Sequence, residues 1–192
     1  LRNKTIGIVG FGRIGQAVAE KSKAFGLNIM VSDPVVSQSF ASDKGCKLVD
    51  MDELLTESDF VTLHAPLMES TINLIGKREL SLMKKDSFLI NAARGQLINE
   101  KDLLDALKAN TIGGAGLDVM ADNHPPIDHP FFSLENILIT PHIAFFSQES
   151  TIELEERAAR EVVRAYQGVM PENLVNRDVL NHSNPRHKLS SK

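Results

Sequence analysis

The sequence predicts an α/β domain of the doubly wound class, a parallel sheet covered by helices on both faces. Three observations carry that prediction. Short apolar runs rich in β-branched residues recur along the chain, separated by segments with helical apolar spacing. The strands are apolar in runs more than in strict alternation with polar residues, as expected of strands buried on both faces. The first run leads through Gly10-Phe11-Gly12-Arg13-Ile14-Gly15 into a helical segment. That places a glycine-rich turn where a Rossmann-type unit needs one.

The elements follow in order. Thr5 to Val9 reads as a strand, and residues 12–25 as a helix with Ile14, Ala17, Val18, Ala24 and Phe25 on its apolar stripe. Gly26 stops that helix, and Asn28 to Val31 begins a second strand closed by Asp33-Pro34. The alternation continues with a short strand at 47–49, a helix at 52–57, a strand at 60–63, a helical turn at 76–82 and a strand at 87–90. A helix at 100–109 and strands at 114–117 and 136–139 complete the sheet. Residues 148–167 form the longest helix, with Ile152, Ala159, Val162 and Tyr166 on one side; Gly168 and Pro171 end it. Residues 1–170 are expected to form the dinucleotide domain. Residues 171–192 are expected to form a returning segment, frayed and solvated after 183 where Ser, Arg and Lys prevail, with His182 and His187 in solvated loops.

Composition narrows the function. The 192 residues are 42% hydrophobic and 24% charged, enough for one core and a small appendage. The net charge of −4 is spread along the chain without a basic, aromatic-interleaved patch, which argues against direct nucleic-acid binding. Cys46 is the sole cysteine; it reads as a packed thiol and fits a reducing cytoplasm. No apolar run approaches the roughly 20 residues that span a bilayer, so no membrane contact is expected. No metal site is expected either. Leu1 leads almost directly into a strand, which suggests a piece of something longer.

In the glycine turn the first glycine makes the bend, the second lets the backbone approach a pyrophosphate, and the third lets helix and strand pack closely. The helix N-terminus favours the anion. Asp33 lies 18 residues beyond Gly15, placed to accept from both hydroxyls of an adenosine ribose. A 2′-phosphate would meet a like charge there, and Pro34-Val35-Val36-Ser37 offers no arginine, so NAD is favoured over NADP. Ligands on such sheets sit beyond the carboxyl ends of the strands, where His64, Arg94, Asp118 and His142 all fall. The planar fork of Arg94 suits a carboxylate. His142 is a residue type able to protonate a carbonyl oxygen as hydride reaches the carbon. Asp118 reads either as an orienting group for the cofactor or as a strand cap. His64 reads as a loop former, and His129 as a solvated loop residue.

These stretches together resemble the D-isomer-specific 2-hydroxyacid dehydrogenases and the related C-terminal-binding proteins. The resemblance rests on residues 8–15, on Leu63-His64-Ala65-Pro66-Leu67 with Thr71, on Asn91-Ala92-Ala93-Arg94-Gly95, on Gly116-Leu117-Asp118-Val119 and on Thr140-Pro141-His142. It implies that Arg94 binds the substrate and that His142 is the proton donor and acceptor. It also implies a cofactor lined by Gly10, Gly12, Arg13, Ile14, Gly15, Asp33, Ala65, Pro66, Thr71, Ala92, Ala93, Asp118, His142 and Ala144, with a small 2-hydroxy or 2-keto acid as substrate and a homodimer as the assembly. Two other readings use the same scaffold: an NAD-sensing, corepressor-like protein, and a formate- or phosphite-type dehydrogenase.

Two features depart from the family pattern. The glutamate that usually pairs with the catalytic histidine falls at Asn123, although a one-residue shift would bring Asp122 or His124 near the site. An asparagine carries no charge to favour an imidazolium, so a reduction that needs protonated His142 is expected to fade at lower pH than in carboxylate-bearing relatives. Family chains also carry a substrate domain built largely from an N-terminal stretch. Without closure of two domains, this chain alone is expected to bind NAD(H) and turn over little.

Overall fold

The computed structural model describes residues 1–181. Contacts group them into two compact units, Leu1–Ala144 and the chain from Phe145 on; the long helix belongs to the second.

The first unit holds seven parallel strands: β1 (Thr5–Val9), β2 (Asn28–Ser32), β3 (Lys47–Leu48), β4 (Phe60–Leu63), β5 (Phe88–Asn91), β6 (Gly114–Leu117) and β7 (Ile137–Ile139). Their order across the sheet is β3-β2-β1-β4-β5-β6-β7. The chain therefore winds outward from β1 in one direction and from β4 in the other. The crevice between these two strands is the switch point at which doubly wound sheets take ligands.

Helices α1 (Arg13–Ala24) and α2 (Gln38–Asp43) cover one face, enclosing Ile8, Val31, Phe11 and Ala41. Helices α3 (Met51–Glu57), α4 (Lys77–Leu82) and α5 (Glu100–Lys108) cover the other, where Leu54, Leu80 and Leu103 pack on Val61, Leu63 and Leu89. Burial on both faces explains why the strand sequences do not alternate.

Three expectations need correction. Helix α1 does not bury the stripe read from its large apolar residues: Ile14 and Phe25 are exposed, and the helix buries Gly15, Ala19 and Ser22. Close approach to β1 sets that phase, since a Cβ on Gly15 would lie 2.3 Å from the Gly10 carbonyl oxygen. Helix α2 was not anticipated; Ser37 caps it by accepting from the Phe40 amide. His129 is not a solvated loop residue but half-buried, its Nδ1 accepting from the Phe131 amide and its ring packed on Phe131 and Phe132.

In the second unit, α6 (Gln148–Tyr166) is capped by Ser147, which accepts from the Ser150 amide. It ends before Gly168, whose φ of 73° is open to glycine at little cost. The Arg164 guanidinium then donates to the Met170 carbonyl at 2.9 Å, and the Glu172 amide donates to Glu161. No residue of α6 is buried. The frayed tail expected from residue 183, with His182 and His187, lies outside the described residues. Among the described residues, no helix is long and apolar enough to cross a membrane.

Candidate functional site

The polar residues singled out by the sequence lie just past the carboxyl ends of β1, β2, β4, β5, β6 and β7, along one edge of the sheet. The glycine turn follows β1. Gly10 has φ 88°, and a Cβ there would come within 2.7 Å of the backbone at His64 and Ala65, so the turn nests against the loop after β4. A Cβ on Gly12 would meet nothing within 4 Å. Gly12 is the N-cap of α1 and provides no side-chain cap, and the first turn contains no acidic residue. The first-turn amides at Arg13 and Ile14 have no hydrogen-bond partner among the described residues, and the space beside Gly12 is open, a combination that fits a pyrophosphate.

Asp33 is half-buried just past β2. Its Oδ2 accepts from the Phe11 amide at 2.7 Å and its Oδ1 from the Val35 amide at 2.9 Å. These bonds tie the carboxylate to the glycine turn while each oxygen keeps further acceptor capacity for a ribose hydroxyl. The residues present therefore fit a dinucleotide.

After β4, His64 bonds Thr62 Oγ1 through Nε2 at 3.0 Å, and burial pushes its imidazole below the ordinary histidine pKa. The Thr71 hydroxyl donates to the Pro66 carbonyl at 2.7 Å and fixes the curve of that loop.

After β5, buried Asn91 shapes the next turn. Its side-chain amide donates to the Arg94 carbonyl at 2.9 Å, and its Oδ1 accepts from the Ala93 amide at 3.0 Å. The exposed Arg94 guanidinium donates to the Ala93 carbonyl and makes no ion pair among the described residues.

Asp118 organises the far end of the edge. It is 7% exposed, and its carboxylate accepts from the Thr140 hydroxyl at 2.6 Å and from the Ile143 and Ala144 amides at 2.8 and 2.9 Å. Burial works to raise its pKa, but these donors and the neighbouring His142 outweigh it and hold the carboxyl below its ordinary value. The His142 amide donates to the Asp118 carbonyl at 2.9 Å, and His142 adopts a left-handed φ of 56°. An exposed histidine is thereby held in a backbone conformation that non-glycine residues rarely take.

A cavity of about 510 Å³ opens beside this segment, lined by Asp118, Asp122, Asn123, Phe131, Pro141 and His142 among others. Asn123 and His142 thus share one space, as does Asp122; His124 does not line it. Sequence reasoning gave no part to the Thr140 hydroxyl or the Asn91 side chain. Their place within the motifs, just before the conspicuous residues, was the only available signal.

Fold and site together define a dinucleotide-binding domain. Residues 1–144 match the family model described as D-isomer specific 2-hydroxyacid dehydrogenase, NAD binding domain, and the chain belongs to that family. It is 42% identical over 177 residues to a glyoxylate reductase of Korarchaeum cryptofilum, covering 92% of this chain and 53% of that protein. It is 41% identical to a D-3-phosphoglycerate dehydrogenase of Methanocaldococcus jannaschii, covering 92% of this chain and 34% of the relative. A D-lactate dehydrogenase of Lactobacillus jensenii, crystallised with NAD+, superposes with a TM-score of 0.83 at 33% identity, over 91% of this chain and 56% of that one. The chain thus spans about half the length, or less, of such relatives.

Proposed function

We propose that this chain is the cofactor-binding part of an NAD-dependent dehydrogenase acting on a small D-2-hydroxy or 2-keto acid. The observation that carries the reading is the arrangement along one sheet edge: the glycine turn and Asp33 toward one end, and toward the other an exposed arginine with no ion pair among the described residues and a histidine flanked by the Asp118 hydrogen bonds. Bound NAD(H) supplies or accepts the hydride. The first-turn amides of α1 hold the diphosphate, and Asp33 accepts from the ribose hydroxyls. The loop through Ala65 and Pro66, braced by Thr71, faces the glycine turn, and Ala92, Ala93, Asp118 and Ala144 line the far side. Arg94, without an acidic partner among the described residues, grips the substrate carboxylate and the carbonyl oxygen with its fork. His142 gives a proton to that oxygen during reduction and takes it back during oxidation.

Names of the relatives support glyoxylate, pyruvate and phosphorylated keto acids as substrates to try. The test is NADH oxidation by the intact protein over such a panel, alongside His142→Gln. Turnover that needs His142 supports the reading; full turnover by His142→Gln contradicts it.

Asn123 favours a second reading. The cavity beside His142 holds the neutral amide of Asn123 as well as the Asp122 carboxylate; with Asn123 as the partner of His142, no charge favours the imidazolium, which suits an NAD-sensing, corepressor-like protein with dispensable catalysis. In that case His142→Gln leaves partner binding intact and there is little turnover to lose. A homodimer is supported by family resemblance, a reducing cytoplasm by the lone buried Cys46, and the absence of a nucleic-acid partner by the dispersed charge.

A further inference from the structure

The reacting pair sits on two separate loops, so something must keep Arg94 and the segment leading to His142 in register. Three contacts converge on one stretch of backbone after β6. Gly95 packs so tightly that a Cβ would lie 2.0 Å from the Met120 carbonyl carbon and 2.3 Å from the Ala121 nitrogen. The Ala121 amide donates to Glu100 Oε1 at 2.7 Å. Gln96 Nε2 donates to the Ala121 carbonyl at 3.1 Å.

We propose that Glu100, supported by Gln96, is a positioning residue that locks the Met120–Ala121 backbone, and the loop through Asp122 and Asn123, against the turn carrying Arg94. The inference rests on the reading of Arg94 and His142 as the reacting pair.

Glu100 is well placed for this. It is the first residue of α5, a helix anchored in the core by Leu103 and Leu107 and capped by Asn99, whose side chain accepts from the Asp102 amide at 3.1 Å. A clamp mounted on such an element is rigid in a way that a loop-to-loop bond is not. Beyond Ala121, Asp122 Oδ1 accepts from the His124 amide and turns the chain so that Asp122 and Asn123 line the cavity shared with His142. At the other end of the same segment, Asp118 grips Thr140 and Ile143 on either side of His142. Residues 118–123 therefore bridge the two halves of the site: Asp118 fixes the His142 end and Glu100 fixes the Arg94 end. Ala121 is exposed, so its amide regains water when the carboxylate is removed and the fold survives. What is lost is the spacing.

The test compares Glu100→Ala, Glu100→Gln and Gln96→Ala in the intact protein, assaying NADH-dependent reduction of glyoxylate and pyruvate, NADH affinity and thermal midpoint. Glu100→Ala is expected to lower kcat/KM for the keto acid by about tenfold or more, since small misplacements of reacting groups are costly, with NADH affinity unchanged. Glu100→Gln keeps an oxygen acceptor and restores most of that loss. A role confined to the helix dipole would instead shift the midpoint and leave kcat/KM alone, which overturns the proposal; so do equal losses in the Ala and Gln variants. Should Glu100→Ala fail to fold, Gln96→Ala decides, with a raised KM for the keto acid in favour and wild-type kinetics against. Arg94→Lys in the same assay separates the two claims. If it retains full activity, the reacting pair is misassigned and the inference falls with it; if it loses activity while Glu100→Ala does not, only the clamp falls.

Discussion

Replacing Asp118 by alanine strikes the point on which the His142 segment depends. The substitution removes the acceptor of three hydrogen bonds of 2.6 to 2.9 Å. Each bond to an ionised acceptor is worth about 1.5–3 kcal/mol. The Ile143 and Ala144 amides belong to exposed residues and are rehydrated, whereas the Thr140 hydroxyl is half-buried. The net cost is then about 2–4 kcal/mol, well short of the sum. Asp118→Asn keeps the shape and one acceptor oxygen, so it costs less. The folded carboxyl has a depressed pKa, so its contribution to stability is fully present above its unfolded value, near 3.8, and is lost as pH falls through the folded value. The gap in stability between wild type and Asp118→Asn is therefore constant at neutral pH and closes in acid. Urea denaturation across pH 3 to 7, at steps of about one unit, reads both effects. Freed of its anchors, His142 can leave the left-handed conformation, which costs about 1 kcal/mol or more to maintain. Turnover by the intact protein should then fall about a hundredfold. A wild-type unfolding midpoint and wild-type turnover in Asp118→Ala would refute the reasoning.

Other substitutions test the packing around the site. Ser58 is fully buried and its hydroxyl has no partner among the described residues, so Ser58→Ala should leave stability unchanged or raise it by about 1 kcal/mol in urea denaturation. Gly95→Ala places a Cβ against the Met120 backbone, which cannot swing aside as a side chain can; the expected result is a loss of more than about 2 kcal/mol by the same measurement, or insoluble protein.

Much of this molecule could be read in advance, and the boundary follows interaction range. The first βαβ unit and its glycine turn were legible because glycine spacing, strand and helix are local in sequence. The identity of the residues along the sheet edge was legible because parallel strands place their loops on one side. The phase of α1 was not, since the residues it buries, Gly15, Ala19 and Ser22, carry little hydrophobic signal and are selected by closeness to β1. Helix α2 escaped notice because six residues with one large aromatic show no periodicity. Asp118 and Glu100 act through partners more than twenty residues away, and no local pattern encodes those bonds. His129 is a different case: its partners, Phe131 and Phe132, are close in sequence, but the short helical turn that folds them onto the ring carries no periodic apolar pattern.

Calorimetric titration of the folded protein with NADH and with NADPH probes the central claim most directly. With the diphosphate over the start of α1 and the ribose beside Asp33, NADH should bind at least about tenfold tighter than NADPH, a difference of about 1.4 kcal/mol, and Asp33→Ala should narrow it. Heat from neither nucleotide, or a preference for NADPH that survives in the wild-type protein, would contradict the account.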